Sequence, residues 1–207
     1  MSAAELEVRG LTVGPVESNC YLVRRGGAHE AVVVDPGAEA GRIASALEAW
    51  EATPAAVVLT HGHMDHVGAV ADLVDRWGIP VYLHPADRPL YDRAAEHAAA
   101  WGLELRAPPP PDHELVDGAI VREAGLELEV RHAPGHSPGG VVVVTDGNAF
   151  VGDCVFQGSV GRVDLPGGDG ARLRESIEEQ ILTLPDEARL WPGHGPETTV
   201  GRERSSN

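Results

Sequence analysis

Thr60-His61-Gly62-His63-Met64-Asp65-His66 places three histidines and an aspartate within six positions, directly after the apolar run Ala55-Ala56-Val57-Val58-Leu59. Imidazole and carboxylate are the ligand types that suit zinc, iron and manganese. A lone His-x-His reads most often as a solvated turn. Here the pattern continues into Asp-His and leaves a short apolar strand, so it reads as a metal loop.

Working outward, three further stretches share one design: a strand, a glycine-rich turn and a potential ligand. They are Ala133-Pro134-Gly135-His136-Ser137-Pro138-Gly139-Gly140, Val151-Gly152-Asp153 and Trp191-Pro192-Gly193-His194-Gly195-Pro196. Glycine lets backbones approach closely and proline stiffens a turn, so each side chain would sit on a rigid loop. Catalytic metal sites need that rigidity. Each stretch alone reads as a turn; four together support one another.

The rest of the chain alternates short apolar runs with helical periodicities. Leu6–Val13, Cys20–Val23 and Ala31–Val34 read as strands, the last two joined by a hairpin through Gly26-Gly27. Helical spacing marks 41–52, the stretch directly behind His66, 91–101 and 172–184. A helix beginning just after His66 would aim its N-terminal amides at the site. Pro108–Pro111 reads as an extended join between two halves of one domain, 1–207. Two mostly antiparallel sheets face to face, with helices outside, would bury these runs.

Composition narrows the function. The chain has 207 residues with a formal net charge of −16, and all its basic residues are arginines. So acidic a surface repels nucleic acid and anionic membranes, and neither is expected as a partner. No basic segment precedes an apolar run at the N-terminus, so no signal peptide is read and a cytoplasmic location is expected. The two cysteines, Cys20 and Cys154, read as free, buried thiols.

The order His-x-His-x-Asp-His, Gly-His, Gly-Asp, Gly-His resembles the metallo-β-lactamase fold superfamily over nearly the whole chain, including Val33-Val34-Asp35-Pro36-Gly37. Gly161-Arg162-Val163-Asp164-Leu165-Pro166-Gly167-Gly168 and the ending Pro192-Gly193-His194-Gly195-Pro196 resemble its short, glyoxalase II-like hydrolases. The resemblance implies an α/β fold, a four-layer αββα sandwich with metals at one edge. It implies that His61, His63 and His136 hold one ion, that Asp65, His66 and His194 hold a second, and that Asp153 bridges them, with Asp65 also counted as catalytic. The cofactors expected are two divalent ions, zinc first, with iron or manganese as alternatives. The activity implied is attack by a metal-activated water on a small thioester such as S-lactoylglutathione. Full-length glyoxalase II enzymes carry a C-terminal helical domain that helps hold glutathione, and this chain shows no counterpart, so another low-molecular-weight thiol is an open carrier. Two other readings share the fold: a persulfide dioxygenase with one iron on His61, His136 and Asp153, and a lactonase or other ester hydrolase.

Outside that set, Arg162 reads equally as a binder of a substrate carboxylate or as a partner of Asp164. His84 reads as packed or surface, and His29, His97, His113 and His132 as surface residues. Asp35 is expected to support the metal loops without binding metal.

Overall fold

A computed structural model describes residues 5–207. In chain order its first sheet contains β1 (Leu6–Val13), β2 (Ser18–Arg25), β3 (Glu30–Val34), β4 (Thr53–Val58), β5 (Val81–Leu83) and β6 (His113–Glu114). The second contains β7 (Ile120–Glu123), β8 (Leu126–His132), β9 (Val141–Thr145), β10 (Asn148–Gly152), β13 (Arg189–Pro192) and β14 (Thr198–Thr199), in spatial order β14-β13-β10-β9-β8-β7. A small hairpin, β11 (Val155–Phe156) and β12 (Ser159–Val160), stands apart.

Side-chain alternation builds the layers. On β2 and β3, Tyr21, Val23, Val32 and Val34 point inward and meet Leu128, Val130, Val143 and Phe150 of the second sheet. Their neighbours Leu22 and Val33 point outward against helices α1 (Ala40–Ala49) and α3 (Val70–Trp77), where Ile43, Leu47, Val70 and Leu73 wait. On the far side Val142, Ala149, Val151 and Leu190 meet Leu173 and Val200 of α6 (Gly170–Ser176) and α7 (Val200–Ser206). A strand buried on both faces must read as a continuous apolar run, and Val141–Val144 does so. The result is the four-layer αββα sandwich.

Several local expectations change. The first sheet is mixed: β3–β4, β4–β5 and β5–β6 all pair in parallel. Helical crossovers of a dozen or more residues enforce this, because such a connection returns a strand in the same direction. The helix near the metal loop starts at Met64, before His66. Helix α2 (Met64–Val67) is one turn, and α3 follows as a separate element. Asp65 and His66 therefore project from inside a helical turn rather than preceding one. The 91–101 segment splits into α4 (Arg88–Asp92) and α5 (Ala94–Ala100). The 172–184 periodicity begins as α6 and continues as a wider π turn over Ile177–Ile181. The proline-rich stretch does not divide the sheets, since β6 lies after it and still joins the first. The last stretch, Val200–Ser206, forms α7.

The two sheets also meet through a histidine stack. The rings of His84, after β5, and His132, ending β8, lie 4.1 Å apart and 7° from parallel. His84 Nδ1 accepts from Ala86 N–H, while His132 Nε2–H donates to the Pro138 carbonyl. Burial, and then the neighbouring His132, push the His84 imidazole down to about 4 from its ordinary 6.5. The unfolded chain takes up this proton first as pH falls. Stability from this group is therefore full above about 6.5 and is lost as pH drops through 4. Since His84 is only half-buried, the discounted effect is about 1 kcal/mol. Urea midpoints between pH 7 and 4 should fall less steeply for His84→Asn than for wild type. Parallel curves would remove His84 from the acid response.

Candidate metal centre

All four ligand-bearing stretches end at one edge of the sandwich. Strand β4 delivers His61 and His63, and the α2 turn delivers Asp65 and His66. The turn after β8 delivers His136, the end of β10 delivers Asp153, and the end of β13 delivers His194. Strand β10 lies beside β13 in parallel register, Gly152 opposite Pro192, which brings Asp153 and His194 to the same rim.

Three sets of donors have their ligand atoms mutually within 4.8 Å: His61-His63-His136, Asp65-His66-His194 and Asp35-His61-His66. In the Asp35 set, both Asp35 oxygens already accept hydrogen bonds from Thr60 and His66, which leaves the other two as the donor groups. In the first, His63 Nδ1 and His136 Nε2 lie 2.9 Å apart. In the second, Asp65 Oδ2 is 3.4 Å from His66 Nε2 and 3.2 Å from His194 Nε2. Asp153 stands between the groups: its carboxylate oxygens lie 3.5 Å from His136 Nε2, 3.5 Å from His66 Nε2 and 3.6 Å from His194 Nε2. All seven residues expected from the sequence therefore converge.

The far nitrogens of four of these histidines are occupied, which fixes the rings. His66 Nδ1–H donates to Asp35 Oδ2 at 3.0 Å, His136 Nδ1–H to the Arg162 carbonyl at 2.8 Å and His194 Nδ1–H to the Glu17 carbonyl at 3.2 Å. His61 Nδ1 lies 3.1 Å from Thr60 Oγ1. With Nδ1 so engaged, Nε2 presents a lone pair to the centre, the arrangement metal-binding imidazoles adopt. His61 Nε2, His66 Nε2 and Asp153 Oδ1 are buried without a hydrogen-bond partner. Buried polar atoms left unpaired are costly. Nitrogen and carboxylate donors aimed inward at close range are a set that a divalent cation satisfies, so the residues fit the metals that the sequence implies.

In the first group the electrostatics agree. Burial drives His61 down, and burial together with His136 drives His63 down to about 3. Both are neutral at pH 7, as a ligand must be. Against burial, which acts to lower it, the Asp65 and Asp153 carboxylates raise His66. Burial, the largest single influence, favours a neutral Asp65, but the His66 charge and the hydrogen bonds from His194 and His66 together outweigh it and hold this carboxyl well below the usual range.

Two buried carboxylates brace the loops. Asp35 Oδ1 accepts Thr60 N–H at 2.7 Å and its Oδ2 accepts Thr60 Oγ1–H at 2.6 Å, besides the His66 bond; this is the supporting role expected of it. Asp87 has no counterpart in the sequence reading. Its Oδ2 accepts Gly62 N–H at 2.8 Å and Ser137 Oγ–H at 2.7 Å, and its Oδ1 accepts Gly139 N–H at 2.5 Å. It thus ties the His61/His63 loop to the His136 loop. The available signal was His84-Pro85-Ala86-Asp87, another proline-bearing turn at a strand end. Ser18, Asn19 and Tyr21 of β2 were also missed. Ser18 Oγ–H donates to the Asp65 carbonyl, Tyr21 Oη–H to that of Pro192, and Asn19 Nδ2–H to those of Pro192 and Gly195. Gly193 is required by space: a Cβ there would lie 2.1 Å from Asp153 Oδ1.

The remaining residues separate clearly. Cys154 is buried, its thiol pushed up to about 12 by burial and then by Asp153, and it faces away toward the Ala133 carbonyl. Cys20 is likewise a buried free thiol. Arg162 pairs one edge of its guanidinium, Nε and Nη2, with the two Asp164 oxygens at 2.7 and 2.8 Å, and also lines the cleft above the cluster. His97 is a correction: placed among surface residues by its alanine-rich context, it lines the same cleft from α5.

Residues 13–194 match the metallo-beta-lactamase superfamily. The chain belongs to that superfamily. It is similar to TTHA1623, solved in a di-iron-bound form, at 45% identity and TM-score 0.88 over 96% of this chain and 98% of that one. It is similar to BLEG-1 B3 metallo-beta-lactamase at 38% identity and TM-score 0.91, covering 97% and 98%. Among curated proteins it is 34% identical to hydroxyacylglutathione hydrolase GloC of Haemophilus influenzae, covering 98% of this chain and 97% of that protein. The chain has the metallo-hydrolase fold of the superfamily, with His/Asp clusters suited to metal. Among the described residues no helix is long and apolar enough to cross a membrane.

Proposed function

We propose that this superfamily member is a two-metal thioester hydrolase. The observation that carries the reading is the position of Asp153, within 3.6 Å of imidazole nitrogens from both donor groups. One carboxylate shared by two triads suits a pair of ions better than one. The mono-iron alternative uses only His61, His136 and Asp153, and leaves the inward-facing Asp65, His66 and His194 without a task.

His61, His63 and His136 would hold the first ion, Asp65, His66 and His194 the second, and Asp153 both, zinc being the first candidate. When bound, such a pair makes water nucleophilic near neutral pH and polarises a carbonyl oxygen. The chain's own residues do the rest. Asp35, Thr60 and the Arg162 and Glu17 carbonyls lock the imidazoles, so no reorganisation is needed as charge develops. Asp65, ionised throughout the working range and partly open to the cleft, would orient the attacking water by accepting its hydrogen bond on the solvent side. Water oxygen bonds to the thioester carbon, the C–S bond breaks, and the proton released follows the departing thiolate. Because a thiolate leaves readily, no dedicated acid is required.

Metal analysis coupled to a thioester panel tests the reading. Two ions per chain are expected, with hydrolysis of S-lactoylglutathione or a neutral-thiol ester that a chelator abolishes and added metal restores. A single iron with oxygen uptake on a persulfide, or two ions with every thioester untouched, would overturn it.

A further inference from the structure

Above the metal cluster lies a cleft of about 420 Å³, with His63, Asp65, His136, Asp153 and His194 among the residues lining it. That volume is within the span of small-molecule sites, about 300–1,000 Å³. Its other lining is largely apolar and comes from separate segments: Met64 of α2, Leu90 of α4, Trp101 after α5, and Leu165-Pro166 of the loop preceding α6. Trp101 is 63% exposed, the most exposed of the large apolar side chains. An indole left in water beside a reactive centre marks a surface that another apolar group covers.

The charge pattern is equally selective. The cleft's one arginine, Arg162, already holds both Asp164 oxygens, so that pair is neutral as a unit. No lysine exists in the chain, whose net charge is −16. A carrier with free carboxylates, such as glutathione, would have to share a guanidinium whose charge Asp164 already offsets.

We infer that the cleft selects a thioester with an extended apolar arm, laid along Trp101 and Leu165-Pro166, on a thiol carrier without carboxylates. This deepens the hydrolase reading and depends on it. Trp101 is then a specificity-determining residue. Burying about three-quarters of each methylene against this open wall contributes about 2.7-fold in kcat/KM, so four additional methylenes amount to on the order of 50-fold.

Metal-loaded enzyme tests this with two series: acetyl against hexanoyl esters of N-acetylcysteamine, and S-ethyl against S-hexyl thioacetate. The two series separate an apolar acyl arm from an apolar thiol arm. A rise of on the order of 50-fold in either is expected, with S-lactoylglutathione below hexanoyl-N-acetylcysteamine. Trp101→Ala and, independently, Leu165→Asp should reduce that hexyl-over-ethyl or hexanoyl-over-acetyl ratio by about tenfold or more. The non-hydrolysable S-hexyl-N-acetylcysteamine should shift the fluorescence of metal-free wild type and not that of Trp101→Ala. Ratios within about threefold in both series, or preference for the glutathione ester, would overturn the inference while leaving the hydrolase reading intact. If no thioester is cleaved yet the Trp101-dependent fluorescence shift appears, the hydrolase reading falls and the apolar cleft stands.

Discussion

Asp153→Asn is expected to lower thioester hydrolysis by about a thousandfold or more and to reduce the metal content of the isolated protein. Among the described residues no other carboxylate lies within 3.6 Å of imidazole nitrogens of both donor groups, and its Oδ1 is buried with no hydrogen-bond partner. The amide keeps the shape but replaces one oxygen by an NH₂ group. That group donates, and so turns partial positive charge toward the point where a cation would sit. Several kcal/mol of transition-state charge stabilisation depend on such ions, which is three or more orders of magnitude in rate. The backbone has no reason to change, so circular dichroism of the metal-free variant should match metal-free wild type. The gain in melting temperature on adding metal should shrink, because binding stabilises only in proportion to affinity. A variant with two ions and activity within about tenfold of wild type would refute the bridging role.

Asp87→Ala is expected to destabilise the protein by about 4 kcal/mol, large for one substitution. The side chain is fully buried and satisfies Gly62 N–H, Gly139 N–H and Ser137 Oγ–H. Each donor stranded without water costs about 1–3 kcal/mol, and the removed desolvation of a buried carboxylate offsets part of the sum. Burial pushes the Asp87 carboxyl up even against these three donors. Asp87→Asn should lose roughly half as much, because its one oxygen can serve Gly62 and Ser137 while its amide opposes Gly139 N–H. Urea midpoints at constant slope measure both effects. Metal affinity should fall by about 10–100-fold in each variant, as the bonds that orient ligand loops are lost. Equal stability of Asp87→Ala and wild type would show that water replaces the carboxylate.

These two aspartates show what was and was not legible beforehand. Asp153 could be read because it repeats a local unit: apolar strand, glycine, ligand. The same unit identifies His61, His63, Asp65, His66, His136 and His194, and strand alternation such as Tyr21-Leu22-Val23 discloses which residues face which layer. Asp87 could not be read, because nothing near it in sequence says that three donors from 25, 50 and 52 residues away will close on it. His97 and Trp101 were obscured for a related reason. An alanine-rich helix looks like a surface until α4, α5 and the 161–168 loop close over the metal edge.

By itself, the sequence determined the inventory of candidate ligands, the stiff turns that carry it and the two-sided burial of the strands. All three are local, since they depend on periodicity of two or 3.6 residues and on the backbone limits of glycine and proline. Only the tertiary structure decided that three pairings of the first sheet are parallel, that Asp153 lies between both triads, that Asp87 joins two loops and that an apolar cleft covers the site. Those outcomes depend on which distant strands pair and how their ends converge, and the cooperative burial of the whole chain sets that, not any one stretch.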